Sequence, residues 1–217
     1  VFNDDVTIGA TTVMTATGGA VTFGKTLNGA QALTISATGA GTTFSDAVGG
    51  TTALTSLTTT GPTAINGAAI TTSAAQTYNS AVTINATANS TTLAGTAITF
   101  GSTVDGSAAA TEALTVNGSA ATTFNGAVGA TATLASLTTD SAGTSVVKAD
   151  VTTSAAQTYN DAVTIGANVT LAGTAITLDS TVNADVNTRT LTINGSGVTS
   201  FNGVVGGTTP LASLTTA

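Results

Sequence analysis

The sequence contains no cysteine and no histidine. Without cysteine, disulfide bonds and thiolate metal ligands are excluded. Without histidine, the commonest general base is missing, and the many serines and threonines have no evident partner to activate them as nucleophiles. These absences predict a chain that is not an enzyme and that has no catalytic residues, no metal ligands and no cofactor.

Charged residues are scarce. The chain has three basic residues against ten acidic ones, for a formal net charge of −7. The basic residues Lys25, Lys148 and Arg189 are isolated from one another, so they offer no patch for nucleic acid or anionic lipid. No apolar run approaches the ~18 residues needed to span a bilayer. We therefore expect no nucleic-acid partner and no membrane insertion of this segment.

Large side chains are also few, with six Phe, two Tyr and no Trp among 217 residues. The composition is nevertheless 41% hydrophobic with a mean hydropathy of +0.40, which is too apolar for an intrinsically disordered chain. Ala, Val, Leu and Ile supply this hydrophobicity and suit a thin core. Thr makes up about a quarter of the chain, and β-branched residues favour strands over helices. The composition therefore predicts an all-β protein.

A long internal repeat organises the chain. The segment ITTSAAQTYN at Ile70–Asn79 returns as VTTSAAQTYN at Val151–Asn160, and variants of LTVNG, TTFNGAVG and LASLTT follow both copies in the same order. Such a repeat indicates a repeat architecture. We expect one continuous domain over 1–217, with long repeats of approximately 1–69, 70–150 and 151–217. Because both ends of the chain lie within a motif, we interpret it as an internal slice of a longer repetitive chain.

A shorter period lies inside the long one. Strand-like apolar segments begin about every 20 residues, eleven times along the chain. Apolar residues alternate with Thr in Val163–Ile165 and similar segments, and glycine interrupts any helical pattern. The pattern predicts a parallel β-helix, or β-solenoid, with about 20 residues and three short strands per turn; a β-sandwich is the alternative. The general preference for right-handed crossovers predicts a right-handed helix, and eleven turns at ~4.8 Å would give a rod of roughly 50 Å.

One corner of the predicted turn has a recognisable sequence. An aromatic residue is followed by Asn, Asp, Ser or Gly, residues that tolerate left-handed backbone angles and cap turns. We expect each ring to point inward and to stack on the ring of the next turn. The clearest examples are Phe2-Asn3-Asp4, Phe44-Ser45-Asp46, Tyr78-Asn79-Ser80, Phe124-Asn125-Gly126, Tyr159-Asn160-Asp161 and Phe201-Asn202-Gly203.

The carboxylates are the remaining candidates for chemistry, and no general acid–base pair can be assembled from them. Asp4, Asp46 and Asp161 occupy a corner position that other copies fill with Ser or Gly, which indicates a turn role. We therefore expect Asp161→Gly to have little effect, whereas Tyr159→Asp should disrupt packing and lower the melting temperature. The full set is Asp4, Asp5, Asp46, Asp105, Glu112, Asp140, Asp150, Asp161, Asp179 and Asp185.

Threonine suggests an alternative function. Flat β-helix faces with regular Thr rows can bind ice, and an exposed Thr/Asn face could bind carbohydrate. Thr-x-Thr occurs at Thr15–Thr17, Thr131–Thr133 and Thr188–Thr192, which do not fall at one place in successive units. The sequence therefore shows no regular row, and Thr is explained as a good exposed strand residue. A carbohydrate- or ice-binding solenoid, and a stand-alone filament subunit that assembles with itself, remain the alternatives.

The run TYNDAVTIGANVTLAGTAITL at Thr158–Leu178, followed by LTINGSGVTSFNGVVGGTTPLASLTT at Leu191–Thr216, resembles the repeats of very large bacterial exoproteins of the filamentous-haemagglutinin-like type. The resemblance implies a secreted, right-handed β-helical fibre at the bacterial cell surface, in adhesion, biofilm or cell–cell contact. No catalytic residues carry over. The implied function is a structural shaft, with its own copies as partners in end-to-end or lateral association. Contact with a host or neighbouring cell would be made by domains outside this segment.

Overall fold

A computed structural model describes residues 1–86, 89–107, 111–186 and 189–217. Within these residues all regular secondary structure is β-strand. In chain order the strands are β1 (Val6–Thr7), β2 (Thr12–Thr15), β3 (Val21–Phe23), β4 (Leu27–Asn28), β5 (Ala32–Ser36), β6 (Thr42–Phe44), β7 (Ser56–Thr60), β8 (Thr63–Ile65), β9 (Ala69–Thr71), β10 (Gln76–Tyr78), β11 (Val82–Ile84), β12 (Ser90–Phe100), β13 (Val104–Gly106), β14 (Ala113–Phe124), β15 (Ser136–Thr139), β16 (Thr144–Val147), β17 (Val151–Thr152), β18 (Gln157–Tyr159), β19 (Ala162–Ile165), β20 (Val169–Gly173), β21 (Ile176–Leu178), β22 (Val182–Ala184), β23 (Thr190–Gly195), β24 (Thr199–Phe201) and β25 (Ser213–Thr216).

The strands stack in parallel on three faces, and the chain visits face A, then face B, then face C in every turn. Face A contains β1, β4, β9, the first halves of β12 and β14, β15, β18, β21 and β24. Face B contains β2, β5, β7, β10, the second halves of β12 and β14, β16, β19 and β22. Face C contains β3, β6, β8, β11, β13, β17, β20, β23 and β25.

The register fixes the length of a turn. On face C one row of paired residues runs through Val21, Thr42, Thr63, Val82, Val104, Val128, Val151, Leu171, Ile193 and Thr216. These ten levels are joined by nine steps, so a turn has about 22 residues. At ~4.8 Å per step the stack is about 43 Å long. The predicted parallel β-helix with three short strands per turn is confirmed, and the β-sandwich is excluded.

The core is one narrow column inside the three faces. In β5, Leu33 and Ile35 are buried and Thr34 between them is half-exposed, because successive side chains of a strand point to opposite sides. Most strands repeat this alternation, with Val, Ile, Leu or an aromatic ring inside and Thr outside. Three short strands leave room inside for few atoms per turn, which explains why small apolar residues suffice.

The aromatic rings form two separate stacks. Phe2, Phe23 and Phe44 lie on successive turns of face C, with ring centroids 5.0 and 5.6 Å apart. A second stack on face B consists of Tyr78, Phe100 and Phe124, with centroids 5.5 and 5.2 Å apart. Among the six corners named from the sequence, ring stacking is confirmed for Phe2, Phe44, Tyr78 and Phe124, although Phe2 at the end of the stack is exposed. Phe201 lies in register with Leu178 instead of another ring.

Tyr159 extends neither stack. It lies on face A, and its partners in register are Thr139 and Leu178. The rings therefore do not form one continuous column, and the position of Tyr159 requires an explanation at the level of the whole repeat.

Equivalent residues of successive long repeats lie on different faces. Phe44 is on face C, Phe124 is on face B and Phe201 is on face A. Eleven strand segments separate each pair. Eleven segments are one fewer than four full turns of three faces. Each copy of the long repeat therefore starts one face earlier than the copy before it.

This shift corrects the expected period. Successive motifs in the sequence begin at intervals shorter than one turn. Their first residues therefore do not lie above one another, and equivalent first residues of the long repeats lie on different faces. Leu33 is on face B, Leu114 on face A and Leu191 on face C. The eleven motif starts therefore correspond to ten levels, each slightly longer than the sequence predicted.

Candidate functional site

The longest repeated motif builds an internal brace. Gln76 is fully buried, and its Nε2 donates to the carbonyl oxygens of Ile70 at 3.1 Å and Ala94 at 2.8 Å. The hydroxyl of Tyr78 donates to Gln76 Oε1 at 2.8 Å. Ile70 is on face A of the same turn and Ala94 is on the next turn, so one side chain connects two faces and two turns. These hydrogen bonds pair buried polar groups that would destabilise the fold if they had no partner.

The second copy repeats the brace one face away. Gln157 Nε2 donates to the carbonyl oxygens of Val151 at 3.1 Å and Ala172 at 2.8 Å, and the Tyr159 hydroxyl donates to Gln157 Oε1 at 3.1 Å. Burial raises the pKa of both tyrosine hydroxyls, Tyr78 and Tyr159, and so favours the protonated form that donates the hydrogen bond. The motif that is most regular in the sequence therefore has a structural role in both copies.

A second set of repeated residues caps one corner in each long repeat. The side-chain oxygen Oδ1 of each accepts hydrogen bonds from two consecutive backbone amides of the turn above it. Because the long repeat shifts by one face, the capped corner follows face A in the first repeat, face C in the second and face B in the third. The three cases are Asn28 with Thr51 and Thr52, Asp105 with Thr131 and Ala132, and Asn183 with Thr208 and Thr209. Asp105 therefore has the same role as two asparagines, which indicates a cap rather than an acid or base.

The other exposed carboxylates serve individual corners. Asp5 accepts from the amide and hydroxyl of Thr26, Asp46 from the amide of Ala47, and Asp150 from the amide of Thr170. Asp179 accepts from Asn202, and Asp185 forms an ion pair with Arg189 at 3.0 Å. The structure therefore distributes these five side chains over separate corners along the rod. Asp4, the sequence neighbour of Asp5, lies beside it at the first turn.

Asp161 is buried, although the sequence predicts for it the same turn role as for Asp4 and Asp46. It is only 2% exposed, and its two carboxylate oxygens accept from the hydroxyls of Thr139 at 2.8 Å and Ser145 at 2.9 Å. Burial raises its pKa and the two hydrogen bonds oppose the rise. Asp4 and Asp46, in the equivalent corner, are exposed. The corner turns inward at Asp161 because Thr139 and Ser145 offer buried hydroxyl donors there.

Asp140 is the neighbouring acid. Burial raises its pKa, the charge of Asp140 in turn raises the pKa of Asp161, and Asp140 Oδ1 is buried without a hydrogen-bond partner. Sequence reasoning missed this pair, since nothing in the local pattern distinguishes these two aspartates from the exposed ones.

Regular Thr rows exist after all. On face A the outward residues of six successive turns are Thr92, Thr115, Thr138, Thr158, Thr177 and Ser200. On face B five successive turns present Thr34, Thr58, Thr77, Thr99 and Thr123. The expectation that no Thr row recurs turn by turn is wrong. A row needs only one outward Thr in each turn, so the Thr-x-Thr pattern within one strand does not reveal it. Thr188, which belongs to one of the three Thr-x-Thr segments named from the sequence, lies outside the described residues.

The described residues contain no group of three or more His, Cys, Asp or Glu side chains placed to hold a metal ion. A pocket at the first turn is lined by residues 1–6, which include Asp4 and Asp5 but no Lys or Arg. In the same part of the chain no helix is present that could cross a bilayer.

Comparisons with known proteins identify no relative. The chain matches no protein-family model, and neither the curated proteins nor the solved structures gave a match.

Proposed function

We propose that this chain is a shaft: a rigid, non-catalytic spacer within a secreted fibre or adhesin at a bacterial cell surface. The observation that carries the proposal is the stacking of three parallel faces through ten levels along nearly the whole chain. In such a stack each turn contacts only its neighbours, so length grows by adding repeats. A spacer needs this property and a catalytic domain does not.

The use of the repeated motifs supports the proposal. The Gln and Tyr side chains of the longest repeated motif form the internal brace, and the Asn and Asp residues at the corners cap backbone amides. Residues that recur for these reasons serve the stack itself. Binding to a host or a neighbouring cell would then belong to other parts of a longer protein.

The proposal is tested in the organism that makes the protein. An antibody raised against this chain should label intact, unpermeabilised cells. Removing residues 70–150 from the native protein should shorten the fibre by about 18 Å, from eleven strand segments at ~4.8 Å per turn, and leave attachment intact. Loss of attachment while the shortened protein is still displayed would place binding in these repeats and contradict a shaft. Labelling only after permeabilisation would contradict the surface location.

The Thr rows favour ice binding as a second candidate. They hold hydroxyl and methyl groups at a regular ~4.8 Å spacing on a surface whose rows carry no charge. Carbohydrate is less favoured, because most described aromatic rings are buried and cannot stack on sugars. The wild-type chain should then stop the growth of ice crystals, and a Thr77→Lys/Thr99→Lys variant should not, while Thr83→Lys on face C should behave as wild type. Unimpeded growth with wild-type protein would eliminate this candidate.

A further inference from the structure

Glu112 is a buried carboxylate that the shaft does not explain. It lies at the corner between β13 and β14 and is 4% exposed. Its Oε1 accepts a hydrogen bond from the Ser107 hydroxyl at 2.6 Å. Its Oε2 is buried and has no hydrogen-bond partner. A buried carboxylate oxygen without a donor is strongly unfavourable, so this atom calls for a positively charged or protonic partner.

The nearby main-chain oxygens on the same side of Gly106 as Glu112 Oε2 are also hydrogen-bond acceptors. A methyl group built on Gly106 would lie 2.9 Å from the Thr133 carbonyl oxygen, 3.0 Å from Glu112 Oε2 and 3.6 Å from the Ala132 carbonyl oxygen. Three oxygens therefore converge on the same side of Gly106. The Ala132 oxygen accepts the Gly106 amide at 2.8 Å, whereas in the described chain no amide donates to the Thr133 oxygen. The absence of a side chain at Gly106 permits this approach.

The long repeat supplies two natural comparisons. The carbonyl oxygen of Glu112 accepts from the Ala135 amide, as that of Gln31 accepts from Thr55 and that of Arg189 from Ala212. These three residues therefore occupy equivalent corners of the three long repeats. Gln31 is neutral and Arg189 is positive, and both are half-buried. Only the middle copy places a carboxylate there, and only there is the side chain fully enclosed.

We propose that Glu112, with the Thr133 and Ala132 carbonyl oxygens, binds a Ca²⁺ ion. Carboxylate and carbonyl oxygens are ligands that Ca²⁺ prefers, and its flexible coordination suits an irregular corner, with water completing the shell. Mg²⁺ demands a near-ideal octahedron and gives up its waters reluctantly, so it should bind less well. With one carboxylate the affinity belongs in the weak range of extracellular modules, about 10⁻⁴ to 10⁻³ M.

The site differs from the sequence-based expectation of no metal ligands. That expectation rested on clusters of acidic, Cys or His side chains, and here the additional ligands are main-chain carbonyls, which leave no trace in a sequence. The proposal does not depend on whether the rod is a shaft, because it concerns one corner of one turn.

Calcium-dependent stability is the test. The purified chain at pH 7.5, freed of divalent ions, is melted with and without 10 mM CaCl₂, and Ca²⁺ is titrated by calorimetry. We expect one site per chain and a rise in melting temperature of about 3 to 6 °C, from mass action at a Kd near 1 mM. The same concentration of MgCl₂ should give a smaller rise.

Two substitutions taken from the other repeats separate the site from its surroundings. Glu112→Gln introduces the side chain type of Gln31 and should fold without responding to Ca²⁺. Asp105→Asn introduces that of Asn28, keeps the corner cap and should retain the full response. A wild-type chain without a calcium shift, or a shift that persists in Glu112→Gln, overturns the proposal. If acidification stabilises wild type more than it stabilises Glu112→Gln, which keeps every other acidic residue, a proton fills the position and the Ca²⁺ site is likewise rejected.

Discussion

At the scale of single residues, the same position after an aromatic residue can lie on the surface at one corner and in the core at another. Asp46 is exposed and caps the amide of Ala47, whereas Asp161 is enclosed between two hydroxyls. The local sequences YND and FSD do not differ in a way that predicts this. What differs is the neighbouring turn, where Thr139 and Ser145 point inward, and the sequence around Asp161 contains no information about which residues stand there.

The buried aspartates give the stability a distinctive pH dependence. Burial raises the folded-state pKa of Asp161 and of Asp140 above the ordinary value. The folded chain therefore binds protons at these two groups more tightly than the unfolded chain does. Their contribution to stability is greatest below the unfolded pKa of about 4 and is lost as pH rises through the folded values. Thermal melts should show a melting temperature that decreases as pH rises from 4 to 7.5.

Asp161→Asn should flatten this pH profile, because the neutral amide can still accept from Thr139 while it donates to Ser145. Asp161→Gly should lower the free energy of unfolding by about 1–3 kcal/mol at pH 7, since it leaves two buried hydroxyls without their acceptor. Thermal melts of both variants across pH 4–7.5 provide the measurement. A Gly variant as stable as wild type would restore the original expectation of a dispensable turn residue.

The tyrosine of the brace contributes through its hydroxyl as well as its ring. Tyr159→Phe keeps the ring but leaves Gln157 Oε1 buried without a donor, which should cost about 1–3 kcal/mol. Urea unfolding provides the measurement. Tyr78→Phe is the independent repeat of the experiment on face B, and the two losses should be similar. A negligible loss in both would mean that Gln Oε1 finds another donor.

At the scale of strands and turns, much could be predicted from the sequence. Period-2 alternation in segments such as Leu33–Ile35 identified strands and their inward residues correctly, because alternation is a local property of an extended chain. The aromatic corners predicted rings that point inward for the same reason. Which strand lies above which is not local. It depends on the residues accumulated over a whole turn, so a small error in the length of a turn moved motifs to the wrong face.

A tight corner that recurs once in each long repeat depends on glycine. Gly49, which follows Val48 on face A, has φ +71°, and a Cβ there would collide with the carbonyl oxygen of Thr71 on the next turn. Gly49→Ala should therefore lower the melting temperature by several degrees, through the left-handed backbone and the clash together.

Gly50 is the matched control for this substitution. A Cβ at Gly50 would be 3.6 Å from the nearest atom outside its own neighbours, an ordinary contact. Gly50→Ala should leave the melting temperature nearly unchanged. Equal losses for Gly49→Ala and Gly50→Ala would show that loss of glycine flexibility, rather than the positive φ and the clash, governs this corner.

At the scale of the whole molecule, the unit of construction is the eleven-segment repeat and not the turn. The long repeat could be predicted directly from the sequence, but its division into turns could not. A turn has three strand segments, and the eleven segments of the long repeat are not a whole number of turns. Deleting residues 70–150 should preserve the packing: Gln157 would then lie over Leu57, as Gln76 does in the intact chain. Small-angle scattering should show a rod shortened by about 18 Å, with a cooperative melt.

Deleting three whole turns instead provides the contrast. Removal of residues 70–138 keeps every strand on its own face. Ser145 then pairs with Leu57 in place of Gln76. That variant should melt at a lower temperature than the 70–150 deletion although it loses fewer residues. The reverse order would mean that alignment of faces matters more than the pairing of side chains.

The mismatch between eleven segments and three faces has a mechanical consequence. Each kind of corner has its own bulk, and a rod in which the bulkiest corner always fell on one side would accumulate a small tilt per repeat and curve. Here the corner moves around the axis by a third of a revolution in each copy, so the tilts point in three directions and cancel over three copies. We therefore expect a long fibre built of such repeats to stay straight without any single residue having to be stiff.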